Sequence, residues 1–308
     1  MILIVGATGS LGGSVARELL QRGERVRAVA RPHSPLRSMG RFTDPTELQG
    51  LGAQIVEADL RHPDSLVPHL EGVRAVLSTA SGTKRGEPDT LQAVDLEGTA
   101  ALAGLARRAG VEHFVYVSAR GVGPDAPPFL RVKWEAEQSV TTAGPPATLV
   151  RPAKFMQDWI AFVYGAQLQG GTRVQLVGET DPERAYVDEA DVARLLTRLL
   201  TDQAPRQEEP RTIEFAADSA RASDIVGHMA AATGMPLTLD RIPVGSTVDT
   251  VGEPLATSIT QLLTMMADEP DDPHVSSAAS HAYGFEPRTV AEFLGEMFQG
   301  TPVTGESV

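Results

Sequence analysis

Short runs of aliphatic residues recur through the first half of the chain, separated by stretches with helical spacing. The runs occupy residues 2–5, 25–30, 53–58, 74–79, 113–118 and 147–151, and helical patterns cover 63–70, 90–109 and 130–143. Strands that are apolar on both faces and alternate with helices are typical of a parallel sheet covered by helices on both sides. The pattern therefore predicts a doubly wound α/β fold.

The alternation stops near residue 152, and the remainder of the chain predicts mainly helices. Apolar residues recur at helical spacing in 185–200, residues 212–217 have the pattern of a further strand, and later helical patterns cover 223–234, 258–269 and 289–298. We predict a nucleotide-binding sheet domain over 1–155, to which the chain returns around 183–217. A smaller, mainly helical part that covers the substrate is predicted over 156–308.

Glycines recur at every third position directly after the first strand, in the segment VGATGSLGG. Such a turn between a strand and a helix offers backbone amides and the positive end of a helix dipole to a pyrophosphate. A glycine-rich turn without a ligand is the alternative, and the position between strand and helix favours a Rossmann-type dinucleotide site. The predicted contacts in this turn are Gly6, Thr8, Gly9, Ser10, Leu11 and Gly12.

Arg31 ends the second strand, where a site that prefers NAD(H) carries an acid for the ribose hydroxyls. An arginine suits a 2′-phosphate instead, so NADP(H) is favoured over NAD(H), and Arg37 follows in the same connection. The alternative is a solvent-exposed arginine at a strand end. Further cofactor contacts are predicted after the third and fourth strands, with Asp59 beside the adenine: Asp59, Leu60, Ala80 and Ser81.

Composition and the absence of certain motifs argue against several other classes of function. The net charge of −13 argues against a broad face for nucleic acid, and the absence of cysteine removes thiolate nucleophiles and cysteine-bound zinc. The histidines form no metal-binding motif, so no metal site is predicted, and the G-x-S-x-G motif of α/β hydrolases is absent. The opening run is too short for a signal peptide and no long apolar stretch follows, which predicts a cytoplasmic protein without a membrane partner.

Several segments, in order along residues 1–298, resemble the NmrA-like branch of the atypical short-chain dehydrogenase/reductase superfamily. They are GATGSLGG, ARP, EADLRHPDSL, FVYVSA, KWEAEQSV, LVRPAKFMQDW, YVDEADVARLL and GFEPRTVAEFLGE. The branch includes NADPH-dependent quinone reductases, relatives of isoflavone and phenylpropenoid reductases, and proteins that bind dinucleotide to report redox state. The resemblance therefore implies NAD(P) binding without fixing one activity.

The superfamily's usual catalytic pair, Tyr-x-x-x-Lys, is absent from this chain. The positions four residues before the three lysines hold Ala80, Phe129 and Val150. Alcohol dehydrogenation and sugar epimerisation through that tyrosine are therefore disfavoured. Hydride transfer to a quinone stays open, because the acceptor oxygens take their protons from water.

Lys133 aligns with the lysine that the branch retains, and three roles are open for it. It binds the nicotinamide ribose, or it donates a proton to a reduced enone or quinone, or it is a helix lysine paired with Glu137 one turn later. A lysine that is buried beside a cofactor can have the lowered pKa that proton transfer needs.

Residues at the ends of the fifth and sixth strands complete the predicted site. Ser118 faces the nicotinamide or caps loose backbone groups at the strand end, and Pro152 and Phe155 lie where the family places residues beside the nicotinamide. The spacing of Phe155, Met156, Trp159 and Phe162 fits both an apolar substrate pocket and the buried face of a helix.

The sequence thus predicts an NADP(H)-binding oxidoreductase that transfers hydride to a quinone or another conjugated carbonyl, with a small apolar or aromatic substrate. A dinucleotide sensor that acts through a protein partner without turnover is the alternative. A sugar-nucleotide epimerase or dehydratase is disfavoured by Phe129 at the tyrosine position.

Overall fold

The computed structural model describes residues 1–31, 42–82, 88–201, 211–253, 255–267, 272–275, 278–282 and 284–299. The strands are β1 (Ile2–Val5), β2 (Val26–Ala30), β3 (Gln54–Glu57), β4 (Ala75–Ser78), β5 (His113–Val117), β6 (Ala147–Pro152), β7 (Lys154–Phe155), β8 (Arg173–Val177), β9 (Arg184–Val187), β10 (Arg211–Phe215), β11 (Asp218–Ala220) and β12 (Thr238–Ile242).

Helices connect most of these strands. The α-helices are α1 (Ser10–Gln21), α2 (Pro45–Gly50), α3 (Thr99–Arg108), α4 (Pro128–Ala143), α5 (Glu189–Thr201), α6 (Ala222–Thr233), α7 (Leu255–Ala267), α8 (Ala278–Ala282) and α9 (Val290–Phe298). Shorter pieces are the 3₁₀ helices Pro63–His69 and Gly165–Gly170 and the π-helices Gln92–Gly98 and Gln157–Tyr164. None of the helices in these described ranges is long and apolar enough to cross a membrane.

The chain divides into two compact units. The first comprises Met1–Pro152 and Val192–Glu214, and the second comprises Ala153–Asp191 and the chain from Phe215 onward. The domain limits at residue 155 and the return over 183–217 stay a prediction from the sequence.

The first unit is built on a seven-stranded sheet in the order β10-β6-β5-β4-β1-β2-β3. The neighbouring pairs from β6 to β3 are all parallel. The predicted doubly wound α/β fold is therefore confirmed. The strand order reverses at β1, and ligands of such sheets bind beyond the carboxyl ends of the strands near that point.

The core of the first unit forms where the apolar face of the sheet meets α3 and α4. Phe114 of β5 and Leu3 of β1 are fully buried there, together with Leu102 of α3 and Val140 of α4. Each such side chain contributes about 1.5–3 kcal/mol through burial. This core fixes α4, and with it Lys133, against β5.

The second unit combines helices with short strands that the sequence pattern did not predict. One sheet has the order β11-β9-β7 and another pairs β12 with β8. Residues 185–187, which open the segment 185–200 and precede its helically spaced apolar residues, belong to β9. The helix begins after Asp188, whose Oδ1 accepts a hydrogen bond from the Ala190 amide at 2.8 Å, as an N-cap does.

Candidate functional site

The turn between β1 and α1 leaves no room for side chains at two of its glycines. Gly6 has a φ of +97°, and a Cβ built on it would stand 2.5 Å from Thr79 Oγ1. A Cβ on Gly12 would stand 2.7 Å from the same oxygen and would also meet the Gly6 carbonyl oxygen. Both positions require glycine, because the turn packs directly against the residue that follows β4.

The first turn of α1 presents backbone amides that can donate hydrogen bonds to a bound anion. Gly9 is the N-cap residue, and no side chain within the described part of the chain caps the helix. The amides of Ser10, Leu11 and Gly12 belong to the first turn, where helix geometry provides no intrahelical acceptor. Together with the positive end of the helix dipole, they fit the pyrophosphate of a dinucleotide.

Thr8 holds this turn to the segment that precedes α2. Its side chain is buried, and its carbonyl oxygen accepts a hydrogen bond from the Thr43 amide at 2.9 Å. Thr43 in turn lies so close to Gly13 that a Cβ on that glycine would overlap it. The sequence did not single out Thr43 or Gly13, because their contact joins segments that are distant along the chain.

Arg31 lies in a cluster of four charged side chains at the ends of β2 and β3 and in the segment after β4. Its Nη1 donates to both carboxylate oxygens of Asp89, at 2.8 and 2.9 Å. Arg61 lies 3.3 Å from Asp89 and 2.5 Å from Asp59, and Arg31 is 4.0 Å from Asp59. With 17% of its side chain exposed, Arg31 is not the solvent-exposed arginine of the alternative interpretation.

Asp59 is engaged by Arg61 in this structure. Burial raises the pKa of Asp59, but its hydrogen bonds with Arg61 and the charges of Arg61 and Arg31 outweigh burial, so the net direction is downward. Leu60 is buried in the core beside it. Arg37 lies outside the described residues. Asp89 and Arg61 were missed by sequence reasoning, since no motif links them to Arg31.

Lys133 is almost fully buried at the end of β5. Its Nζ lies 3.1 Å from Asp95 Oδ1 and donates to the Val117 carbonyl oxygen at 3.3 Å. The rings of Tyr116 and Phe129 lie 5.3 and 6.0 Å from the same nitrogen.

The alternative in which Lys133 pairs with Glu137 is not the one that the structure shows. Glu137 instead accepts two hydrogen bonds from Arg151, at 2.9 and 2.7 Å. The planar guanidinium of Arg151 matches both carboxylate oxygens of Glu137, which leaves Asp95 as the acid beside Lys133.

The pKa of Lys133 is raised, which does not match the lowered pKa that proton transfer needs. Burial lowers the pKa of Lys133, but the charge of the Asp95 carboxylate and its hydrogen bond with Lys133 oppose burial, and the net direction is upward. Burial raises the pKa of Tyr116 to about 12, even though the Lys133 charge opposes the shift. Lys133 is therefore a fixed cation at neutral pH, and Tyr116 is a neutral phenol.

Asp95 was missed by sequence reasoning, although a charged residue inside an apolar helical run was a usable signal. It lies in the π-helix Gln92–Gly98, is fully buried, and accepts a hydrogen bond from the Gly82 amide at 2.7 Å through Oδ2. Gly82 follows the predicted cofactor contacts Ala80 and Ser81, both of which are partly exposed. Asp95 therefore joins Lys133 to the segment that leaves β4. π-Helical turns occur often at functional sites.

The remaining predicted contacts fall in both units. Ser118 is buried, its amide donates to the Val150 carbonyl oxygen at 2.8 Å, and its hydroxyl has no hydrogen-bond partner among the described residues. It does not cap the strand end. Pro152 ends β6 in the first unit, and its carbonyl oxygen accepts from the Arg120 amide at 3.1 Å. Phe155 belongs to β7 in the second unit.

The four residues predicted as pocket or core divide between the two roles. Met156 is fully buried in the core of the second unit. Phe155, Trp159 and Phe162 retain exposed surface, and Lys154 Nζ lies 4.7 Å from the Trp159 ring centre. Over the ranges that the structure describes, no group of three or more acidic or histidine side chains is placed to hold a metal ion.

Comparison with known proteins relates the chain to reductases and to an assembly factor. The family model described as NmrA-like matches residues 1–294. The NAD(P)H azoreductase of Xenophilus azovorans is 28% identical over 302 residues, covering 95% of this chain and 96% of that protein. The photosystem II assembly factor Ycf39 of Trieres chinensis is 28% identical over 244 residues, covering 79% of this chain and 72% of that protein. Two further curated relatives match over only 59% and 46% of their own length.

A solved structure shares the fold over nearly the full chain. It is an NADPH-dependent quinone oxidoreductase of Escherichia coli complexed with NADPH, with a TM-score of 0.72 and 23% identity. The likeness covers 97% of this chain and 100% of that chain.

Proposed function

Because the chain belongs to the NmrA-like family, we propose that it is an oxidoreductase that transfers hydride from NADPH to a quinone or another conjugated acceptor. One observation carries this proposal. The carboxyl edge of a single parallel sheet bears the glycine turn, Arg31 and Lys133, which are three groups suited to a pyrophosphate, a 2′-phosphate and a ribose.

The first unit supplies the binding groups for the dinucleotide. The amides of Ser10, Leu11 and Gly12 would receive the pyrophosphate, and Arg31 would receive the 2′-phosphate. Asp59 and Leu60 would border the adenine, and Ala80 and Ser81 would line the middle of the cofactor. NADPH, when bound, supplies the hydride, while the chain supplies orientation and a dry environment.

Lys133 would hold the nicotinamide ribose as a permanent cation, with Ser118 and Pro152 at neighbouring strand ends. Its raised pKa argues against proton donation at neutral pH, because a donor works best when its pKa lies near the ambient pH. Tyr116 is buried and has a pKa of about 12, which makes it an equally poor acid. The acceptor would then take its proton from water.

The acceptor we propose is small, apolar or aromatic, and conjugated. Two names support this class, since a curated relative is named an NAD(P)H azoreductase and a protein of similar fold is named an NADPH-dependent quinone oxidoreductase. In the second unit, the partly exposed rings of Phe155, Trp159 and Phe162 would offer an aromatic surface to such a molecule.

The decisive experiment follows NADPH oxidation by absorbance in the presence of a panel of quinones, enones and azo dyes. NADPH affinity is measured on the same purified sample. We expect tight binding and oxidation that depends on the added acceptor. Tight binding without oxidation across the whole panel would contradict the reductase assignment.

The relationship to Ycf39 favours a second candidate function. That protein is named as a photosystem II assembly factor, which supports a dinucleotide-binding protein that acts through a protein partner. The absence of Tyr-x-x-x-Lys fits this candidate as well. It becomes the preferred function if NADPH binds and no acceptor is reduced, and the next measurement would then be partner capture with and without NADPH.

A further inference from the structure

Asp89 uses only part of the hydrogen-bonding capacity of Arg31. Both Asp89 oxygens accept from the same nitrogen, Nη1, at 2.8 and 2.9 Å. Nη2 of Arg31 is buried and has no acceptor within the described part of the chain. The guanidinium is therefore fixed in position and still has a donor for another acceptor.

Among the residues that the structure describes, the charges around Arg31 are balanced. Arg31 and Arg61 contribute two positive charges, and Asp59 and Asp89 contribute two negative charges within 4.0 Å of these guanidinium groups. The side chain of Asp89 is only 7% exposed, so solvent screens it weakly. A phosphate monoester, which carries about −1.5 to −2 charges at pH 7, would meet repulsion from Asp89 on binding to Arg31.

The backbone that carries Asp89 is packed against Gly82. It lies in the segment after β4, and that segment packs against Gly82 so closely that a Cβ built there would stand 2.6 Å from the Thr90 carbonyl oxygen. The same Gly82 is bound through its amide by buried Asp95 at 2.7 Å. The backbone at Asp89 is thus held in place, and the Asp89 carboxylate lies against Arg31 and Arg61.

We infer that Asp89 determines nucleotide specificity: it weakens the binding of a 2′-phosphate to Arg31 and so narrows the preference for NADP(H) over NAD(H). This inference rests on the proposed function, because it assumes that the adenosine ribose lies beside Arg31. An unphosphorylated ribose brings no charge to the cluster, and a carboxylate accepts hydrogen bonds from its hydroxyl groups.

The test measures dissociation constants for NADPH and NADH with wild type, Asp89→Asn and Arg31→Ala. Asparagine keeps the shape of Asp89 and one oxygen acceptor for Arg31 while removing the charge. We expect NADPH to bind roughly tenfold more tightly to Asp89→Asn, with NADH affinity unchanged or slightly weakened. Arg31→Ala is expected to weaken NADPH far more than NADH.

Matched variants separate this effect from a general change in charge or from misfolding. Glu71→Gln removes one exposed negative charge before β4, at the opposite edge of the sheet, and is expected to leave both affinities unchanged. Asp89→Ala is expected to repeat the Asp89→Asn result if the latter folds poorly. Asp89→Glu keeps the charge and is expected to gain no NADPH affinity.

Two results would overturn the inference in distinguishable ways. If wild type binds NADPH and the neutral Asp89 variants bind it equally or more weakly, Asp89 does not oppose the phosphate. If wild type binds neither nucleotide, the proposed function fails, and the role of Asp89 fails with it.

Discussion

Lys133 shows how burial and charge compete at one residue. Taking an ammonium group out of water is costly, and a buried ion pair offsets that cost only when its geometry is good. Here the Asp95 carboxylate lies 3.1 Å away and the Val117 carbonyl oxygen 3.3 Å away, so the charged form is retained. The missing tyrosine has therefore not left a neutral, reactive lysine behind.

Replacing Lys133 with Met tests its role. If Lys133 holds the ribose, Lys133→Met should weaken NADPH binding about tenfold and leave measurable turnover at saturating NADPH. The single variant also leaves Asp95 buried without its partner, which should cost about 3–5 kcal/mol of unfolding free energy. Lys133→Met/Asp95→Asn is the matched control, since it removes the uncompensated charge and should recover much of that stability.

The pH dependence of turnover in the wild-type protein provides a second check on the role of Lys133. The Lys133 pKa lies above its usual value of 10.5, so Lys133 stays protonated in neutral and mildly alkaline solution. The kcat of the wild-type protein should therefore show no loss from deprotonation of Lys133 up to about pH 9. A collapse of turnover in Lys133→Met with NADPH affinity intact would instead identify Lys133 as the proton donor.

At the scale of elements, the turn from β1 to α1 depends on close packing against the end of β4. The hydrogen-bond donors of this turn are backbone amides. Side chains therefore affect the turn mainly through the space that they occupy. Gly12 needs its missing Cβ because the Gly6 carbonyl and Thr79 occupy that space. A single methyl group is therefore enough to disturb the amides that we propose to bind phosphate.

Gly12→Ala should weaken NADPH binding at least tenfold and lower the unfolding free energy by about 1–3 kcal/mol, because the helix must move away from β4. Gly104→Ala in α3 is the control, since its Cβ would find its nearest neighbour 3.4 Å away at a flexible arginine end. That variant should keep NADPH affinity and gain up to about 1 kcal/mol of stability. Equal NADPH affinity in the two variants would contradict the assigned role of the turn.

At the scale of the whole molecule, NADPH binding should raise the free energy of unfolding. NADPH at about 100 times its dissociation constant should raise the unfolding free energy by about 2.7 kcal/mol, because only the folded protein binds it. Denaturant unfolding with and without NADPH measures this gain. The gain should be smaller for Gly12→Ala at the same NADPH concentration, and an equal gain in both proteins would place the nucleotide elsewhere.

The sequence by itself determined the parallel sheet, the glycine turn of α1 and the position of Lys133 on α4. These features follow from hydrophobic periodicity and from short motifs, whose physical causes act over a few neighbouring residues. The strands β7, β8, β9, β11 and β12 were not predicted, because none of them is a continuous aliphatic run of the kind that marks the strands of the parallel sheet.

Only the tertiary structure decided which charges meet. Asp89 lies 58 residues from Arg31, and Asp95 reaches Lys133 from a different helix, so no local pattern relates either pair. The direction of the Lys133 pKa depended on that pairing, since burial alone would have lowered it. Electrostatic energies depend on the distances between charges and on their burial. Both are established only when the folded sheet brings the ends of its strands together.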